Sequence, residues 1–137
     1  MVMDLLERVI NILTNSDPIP AVADSLKQFH LVTVEAARNY IFENFAQNIS
    51  LQQLAKHCLV SPFHFSRVFK AIMKISPHQY LTEVRLNHAK VLLTCTEQSI
   101  ADITYACGFN SPEHFATAYR QRFRINPTSQ RKERTTM

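Results

Sequence analysis

The apolar residues of the chain recur at helical spacing, and polar or proline-containing breaks separate the apolar sets. One set has members three or four positions apart, as on one face of a helix, at Phe65, Val68, Phe69 and Ile72. A similar set follows at Phe115, Ala118, Tyr119 and Phe123. Val, Ile and Thr never alternate over a long run, and the chain has one glycine. The pattern therefore predicts an all-α fold.

Residues that cap helix N-termini mark the predicted helix starts. A proline follows four of these caps, and the first position of a helix tolerates proline. The caps are Thr33, Ser50, Ser61, Ser76, Ser99, Ser111 and Asn126. They predict a helix over 34–44, a helix-turn-helix over about 50–74, a connector helix over about 77–94, a second helix-turn-helix over about 99–124 and a short terminal helix. The expected fold is a seven-helix domain with two helix-turn-helix subdomains.

One sequence pattern occurs twice, 50 positions apart. Residues 61–65 read SPFHF and residues 111–115 read SPEHF. The match continues at this offset to Pro77 and Pro127, whereas upstream of Ser61 the offset is 49. The second copy therefore has one extra residue within 108–110, where a turn can hold it, and Gly108 is a predicted helix stop. The repeat predicts two helix-turn-helix units of the same construction.

The first 30 residues have their own apolar face, at Val2, Leu5, Leu6, Val9, Ile10 and Leu13. Asp17–Pro20 interrupts this segment, and a short amphipathic stretch follows over 22–29. One or two helices are expected before the domain. Their apolar face either contacts a partner, including a second copy in a homodimer, or packs back on the domain. We favour the first interpretation because these leucines need burial and the acidic segment is unsuited to DNA.

Composition limits the class of protein. The chain has 137 residues and 46% apolar content, enough for one or two small domains with a core. No apolar run reaches the roughly 18 residues that a membrane span needs, and no basic-then-apolar signal segment opens the chain. We therefore expect a cytoplasmic protein without a membrane partner. Cys58, Cys95 and Cys107 are odd in number and widely spaced, which favours reduced thiols in a helical core.

Charge is distributed unevenly along the chain. Residues 1–49 hold six acids and three bases, whereas residues 50–137 hold twelve bases and five acids, a net charge of +7. The repeat therefore lies in the cationic part, as the binding of phosphate requires. A solvated basic surface would give the same count, so charge alone does not establish a nucleic-acid partner.

The repeat and the connector resemble the AraC/XylS family of transcription regulators over roughly residues 31–131. The residues that carry the resemblance are Leu54-Ala55, Phe65 to Lys70, Ser76-Pro77, Tyr80-Leu81, Arg85-Leu86, Ala89, Leu92-Leu93, Ser99-Ile100, Ile103, Gly108-Phe109, His114-Phe115 and Tyr119-Arg120. The resemblance implies a DNA-binding domain whose third and sixth helices enter successive major-groove segments. It also implies a sequence-specific regulator, usually an activator that contacts RNA polymerase. Residues 31–131 then form the DNA-binding domain and residues 132–137 a tail. Residues 1–30 form a separate helical segment, for which a remnant of the family's regulatory and dimerisation region is one interpretation.

The outward residues of the two predicted recognition helices are the candidate DNA contacts. The first helix-turn-helix offers Ser61, Phe63, His64, Ser66, Arg67, Lys70 and Lys74. The second offers Asn110, Ser111, Glu113, His114, Ala116, Thr117, Arg120, Gln121 and Arg124. Bases can reach phosphates, a glutamate can accept from a cytosine amino group, and small side chains can contact a thymine methyl. Thr117 stands where the first copy has Arg67, so the second copy is expected to bind phosphate less strongly.

The connector adds a geometric expectation. Its 17 residues from His78 to Thr94 span roughly 25 Å, whereas successive major-groove faces of straight DNA lie roughly 34 Å apart. We expect a bipartite operator of about two turns, with modest bending of the DNA toward the protein. The alternative is a protein-binding module that keeps the fold and titrates RNA polymerase or another regulator.

Other chemistry has little support in the sequence. No histidine and cysteine set has zinc spacing, no cofactor is expected, and no Ser-His-Asp, Cys-His or paired-carboxylate set argues for an enzyme. His88 is expected to be a hydrogen-bonded core residue, and the resemblance makes Arg85 a brace or a phosphate contact. Lys74 and Arg124 stand where the family often has glycine, so a left-handed cap there would be strained by about 1 kcal/mol.

Overall fold

The computed structural model describes residues 19–135, and all the regular structure in this range is helical. The helices are α1 (Ile19–Asn44), α2 (Leu51–His57), α3 (Pro62–Met73), α4 (Pro77–Cys95), α5 (Ile100–Ala106), α6 (Pro112–Phe123) and α7 (Pro127–Thr135). The prediction of a seven-helix, all-α fold is confirmed. The apolar face predicted over residues 2–13 lies outside the described residues. No helix in the described range is long and apolar enough to span a bilayer.

Helix α1 is longer than the sequence predicts, and the predicted cap at Thr33 is wrong. Thr33 is buried inside α1, where its hydroxyl donates to the carbonyl oxygen of Phe29 at 3.0 Å. A threonine can bond to the preceding turn in this way, so its position before an apolar stripe does not identify a helix start. Pro20 lies in the first turn of α1, where proline is tolerated. The stretches predicted separately over 22–29 and 34–44 therefore form one helix.

The described chain divides into two compact units. The first contains α1 as far as Tyr40, together with α2 and α3. Its core includes the fully buried rings of Phe65 and Phe69, whose centroids lie 5.7 Å apart. Val34 and Ala37 of α1 are also buried, as their helical spacing predicts.

The second unit contains the segment from Ile41 to Ile49 and helices α4 to α7. Its core draws on α4, α5, α6 and the turn between α5 and α6. The buried members are Leu86, Ala89, Leu93, Ile103, Cys107, Phe109, Phe115 and Tyr119. Each unit thus surrounds the inner face of one predicted recognition helix, so packing fixes which face of that helix remains outside.

Side-chain caps start the short helices as predicted. The hydroxyl of Ser50 accepts from the N–H of Gln53 at 3.1 Å, and the Gln53 side chain accepts from the N–H of Ser50 at 2.8 Å. The Ser61 and Ser111 hydroxyls accept from the third residue of α3 and of α6 at 3.2 and 3.1 Å. The predicted caps at Ser99 and Asn126 make the same kind of bond at the starts of α5 and α7. These bonds satisfy backbone donors that the helix itself leaves unpaired.

The turn inside each helix-turn-helix has the same backbone geometry. Leu59 and Gly108 both have a positive φ, of 61° and 89°. In each turn the residue after them donates to a carbonyl five positions back, from Val60 to Ala55 and from Phe109 to Thr104, both at about 3.0 to 3.1 Å. This bonding closes the preceding helix as a Schellman cap. The predicted helix stop at Gly108 is confirmed, whereas nothing in the sequence predicts a helix stop at Leu59.

Helix α7 is fastened to the rest of the second unit by two side chains. Tyr119 donates its hydroxyl proton to the Gln130 side chain at 2.9 Å. The Arg131 guanidinium donates to the carbonyl oxygens of Leu93 and Thr96, each at 3.2 Å, and also contacts that of Gln98. Helix α7 continues to Thr135, into the range that the sequence assigns to a tail.

Candidate nucleic-acid interface

The outer face of α3 is polar, basic and largely solvent-exposed. Phe65, Val68 and Phe69 are buried on the opposite face, which confirms the inward stripe. The candidate contacts Phe63, His64, Arg67, Lys70 and Lys74 are exposed, as is the cap Ser61, and Ser66 is half-buried. The side chains predicted to meet DNA from the first copy are therefore accessible.

Two of these side chains contact each other. The guanidinium carbon of Arg67 lies 5.4 Å from the centroid of the Phe63 ring, one helical turn away. This is the distance of a cation–π contact. Phe63 is 73% exposed. The contact places an apolar surface and a forked hydrogen-bond donor side by side on the outer face of α3.

Helix α1 borders the outer face of α3 through His30, which is not among the candidate contacts predicted from the sequence. The His30 ring packs edge-on against His64 with centroids 5.5 Å apart. Together with Phe63, Arg67, Val68 and nearby residues of α3, the two histidines line an open groove of about 350 Å³. Burial, and secondarily the neighbouring His64, lower the pKa of His30. His30 lies between the stretches predicted over 22–29 and 34–44, and no local pattern there indicates such a neighbour.

The outer face of α6 is polar as well but differs in chemistry. Phe115 and Tyr119 are fully buried, as predicted. The exposed side chains on the other face are Glu113, His114, Thr117, Arg120, Gln121 and Arg124, with Asn110 exposed just before the helix. Ala116 and the cap Ser111 are half-buried. This face therefore offers an acid, amide and hydroxyl groups, and two arginines.

A second groove, of about 460 Å³, lies between α6 and the start of α7. Glu113, Thr117 and Arg120 line its α6 side, and Asn126 and Thr128 line its α7 side. The groove continues the outer face of α6 onto the following turn. The polar surface of the second unit is therefore wider than the helix itself.

Arg85 lies where it can brace the second unit. Its guanidinium donates to the carbonyl oxygens of Phe45 and Gln47, at 2.7 and 2.9 Å. Burial lowers the pKa of Arg85. A Cβ added at Gly108 would lie 2.8 Å from the same Phe45 oxygen and 2.9 Å from the Arg85 Nε atom. The bracing arginine and the only glycine of the chain are thus parts of one close contact.

Some of the positive charge counted in the sequence has other partners. The Nε atom of Arg122 lies 2.6 Å from the carboxylate of Glu83. Arg122 and Lys90 also contact the ring of Phe123, at 4.8 and 4.9 Å from its centroid. These two cations therefore belong to a surface cluster with α4, and the candidate interface holds fewer bases than the net charge suggests.

Two of the three thiols and His88 have packing roles. Cys58 and Cys107 are buried, and burial raises the pKa of each thiol to about 11. Cys95 is exposed, so its expected place in the core is wrong. His88 is half-buried and its ring stacks on Phe45, with centroids 4.0 Å apart, so its predicted place as a hydrogen-bonded core residue is wrong. Among the described residues, no group of three or more metal-ligating side chains converges.

Comparison with known proteins identifies the family. A family model described as a helix-turn-helix domain matches residues 54–133. The chain is 37% identical over 91 residues to the HTH-type transcriptional regulator ArgR of Pseudomonas aeruginosa, an alignment that covers 66% of this chain and 28% of that protein. The chain thus spans about a quarter to a third of the length of this relative.

Solved structures give the same result. A transcriptional regulator from Chromobacterium violaceum, described as an AraC-type DNA-binding domain-containing protein, matches with a TM-score of 0.72 and 35% identity, over 76% of this chain and 93% of that one. The DNA-binding domain of AdpA, solved in complex with a target DNA, shares the fold with a TM-score of 0.72 at 22% identity, over 75% and 93% of the two chains. The repeated helix-turn-helix, its caps and these matches place the chain in the AraC family of helix-turn-helix transcriptional regulators.

Proposed function

We propose that the chain is a sequence-specific double-stranded DNA-binding regulator that presents α3 and α6 to successive major-groove segments. The observation that carries the proposal is the repeated construction of the two units. In both, the same cap and the same αL turn hold one helix with its apolar face buried and its polar face outside. A recognition helix needs this arrangement, because its outer side chains must reach base edges while its inner face fixes its direction.

The chemistry of the two faces supports contact with phosphates and bases. Arg67, Lys70 and Lys74 of the first unit and Arg120 and Arg124 of the second are exposed cations on these faces. The remaining exposed side chains include hydrogen-bond donors and acceptors suited to base edges. The fold is shared with a domain solved on its target DNA. From the family we also expect that the protein activates transcription through contact with RNA polymerase. The proposed role is therefore regulatory, and no catalytic reaction is proposed.

The connector supports a bipartite operator. Helix α4 has 19 residues, so its length is about 28 Å. Successive major-groove faces of straight DNA lie roughly 34 Å apart, which is more than the length of this helix. We infer that the bound DNA bends modestly toward the protein. A gel-phasing assay with the selected operator measures this bend, and mobility independent of phase would contradict it.

Selection of binding sites from a random duplex pool tests the proposed function. Fluorescence anisotropy then measures the affinity for the selected duplex and for a scrambled duplex of equal composition, over a series of salt concentrations. We expect a two-part motif bound about 10³-fold or more tightly than the scramble. Equal affinity for both, with a slope of about −0.9 per phosphate contact, would mean phosphate attraction without reading of sequence. Absence of binding to either duplex would favour a protein-binding module.

A further inference from the structure

The contact between Phe63 and Arg67 has a geometry that core packing does not explain. Phe63 is 73% exposed, whereas the aromatic residues Phe65 and Phe69 of the same helix are fully buried. Its ring lies in the first turn of α3, on the outer face, with the Arg67 guanidinium 5.4 Å from its centroid. A phenylalanine so exposed contributes little to folding. An apolar partner brought by a ligand would remove its ring from water.

The same contact leaves the hydrogen-bonding edge of the arginine accessible. A guanidinium that stacks on an aromatic ring gives up few of its hydrogen bonds, because its N–H groups point outward in the plane of the fork. Among the described side chains, Arg67 has no ion pair with a carboxylate. Its fork therefore remains available to a planar acceptor pair.

We propose that Phe63 and Arg67 together read a 5-methylpyrimidine next to a guanine in the half-site bound by α3, an inference that rests on the proposed DNA-binding function. Guanine presents two acceptors, O6 and N7, in the major groove, and these match the two donors of an arginine fork. Thymine presents a methyl group in the same groove, and its apolar contact suits the exposed ring. The pair thus selects a TG or GT step, and 5-methylcytosine can supply the same methyl group.

The second unit provides an internal comparison. At the positions equivalent to Phe63 and Arg67, α6 has Glu113 and Thr117. Neither side chain offers a ring or a forked donor, and both are exposed. The α6 half-site therefore has a different reading chemistry, and its bases serve as controls for those of the α3 half-site.

Base analogues test the two contacts separately. In the selected operator, the thymine of the α3 half-site is replaced by deoxyuridine, which lacks only the methyl group, and the guanine by 7-deazaguanine, which lacks the N7 acceptor. We expect deoxyuridine to weaken binding about three- to fivefold, as loss of one buried methyl predicts, and 7-deazaguanine to weaken it about 5- to 100-fold. Replacement of the thymine by 5-methylcytosine opposite guanine should retain more affinity than replacement by cytosine.

Variants show whether the named side chains make these contacts. Phe63→Ala should bind the thymine and deoxyuridine operators equally, and Arg67→Ala, which removes the donors to guanine, should lose most of the preference for guanine over 7-deazaguanine. Thr117→Ala is the matched control, because it should keep both preferences. Helical content by circular dichroism checks that each variant is folded, and Phe63→Leu, which keeps an apolar contact, should restore part of the sensitivity to the methyl group.

The outcomes separate this inference from the proposed function. Tight binding to a selected operator that is indifferent to the methyl group and to N7 in the α3 half-site would overturn the reading pair while leaving sequence-specific binding intact. Equal analogue sensitivity in the wild type, Phe63→Ala and Arg67→Ala would assign the contacts to other side chains and would also overturn it. A chain that binds no duplex would overturn both proposals.

Discussion

Four residues with positive φ shape the ends of the four helices that form the two helix-turn-helix units. Gly108 adopts φ of 89°, while Leu59, Lys74 and Arg124 adopt 61°, 69° and 65°. A side chain in this region meets its own backbone at a cost of roughly 1–2 kcal/mol. Lys74 and Arg124 close α3 and α6 at the rim of the outer faces, where their charge is useful to a DNA-binding surface. Leu59 is 71% exposed and uncharged, so it adds no positive charge to the surface of its unit.

Replacement of Leu59 by glycine should therefore stabilise the protein. Glycine removes the left-handed strain, while its extra freedom in the unfolded chain offsets part of the gain, so the free energy of unfolding should rise by about 0.5–1 kcal/mol. Urea denaturation followed by circular dichroism measures the change. The matched control is Gly108→Ala, which should lower the same free energy because its Cβ would lie 2.8 Å from the Phe45 oxygen. A loss of stability in Leu59→Gly would show that the leucine side chain matters more than its strain.

The cysteines should differ sharply in reactivity and in their effect at high pH. Burial raises the pKa of Cys58 and Cys107 to about 11, whereas a thiol in the unfolded chain has a pKa of about 8.5. The raised folded pKa means that this contribution to stability is complete below about pH 8.5 and is lost as pH rises toward 11. Urea unfolding at pH 8, 9.5 and 11 should show the decline. In the folded protein at pH 8, a thiol reagent should modify Cys95 alone, and rapid labelling of Cys58 or Cys107 would contradict the burial.

At the scale of elements, α4 depends on a residue far along the chain for its C-terminal end. A helix leaves its last carbonyl groups without internal donors. Arg131 of α7 donates to the carbonyls of Leu93 and Thr96 and contacts that of Gln98. The guanidinium thus caps α4 and fixes α7 in the same contact. No local pattern in α4 could indicate this, because the capping residue follows 33 to 39 positions later.

Loss of this cap should destabilise the second unit. Arg131→Ala removes charge-assisted hydrogen bonds from partly buried carbonyls, so we expect the free energy of unfolding to fall by about 2 kcal/mol. Arg131→Lys keeps the charge but not the fork, and should lose less. Equilibrium urea unfolding compares the two variants. An unchanged midpoint for Arg131→Ala would mean that water replaces the guanidinium without cost.

The sequence predicts elements well where the signal is local. The serine caps before α3 and α6, the inward stripes and the stop at Gly108 depend on residues within one or two turns, and all agree with the structure. Thr33 fails because one hydroxyl can cap a helix or bond within it, and only the preceding turn decides. The pairing of His30 with His64 and the Arg85 brace join residues 34 to 40 positions apart, beyond the reach of periodicity. The outer faces were predictable because they are what the stripes leave exposed.

At the scale of the whole molecule, the two units should contribute unequally to DNA affinity. Arg67 on α3 is an exposed cation in contact with Phe63, while the equivalent residue on α6 is the uncharged Thr117. Arg67→Ala should therefore weaken binding to the selected operator about 10-fold or more, and Thr117→Ala less than about threefold.

Anisotropy titrations of both variants at two salt concentrations measure this difference. The salt slope decides its cause: a slope reduced by about one for Arg67→Ala would indicate a lost phosphate contact, and an unchanged slope a lost base contact. Equal losses of affinity in the two variants would contradict the asymmetry. Equal large losses would mean that Thr117 contributes to binding as much as Arg67 does, and equal small losses would leave the affinity to other exposed bases, such as Arg120 and Arg124 of α6.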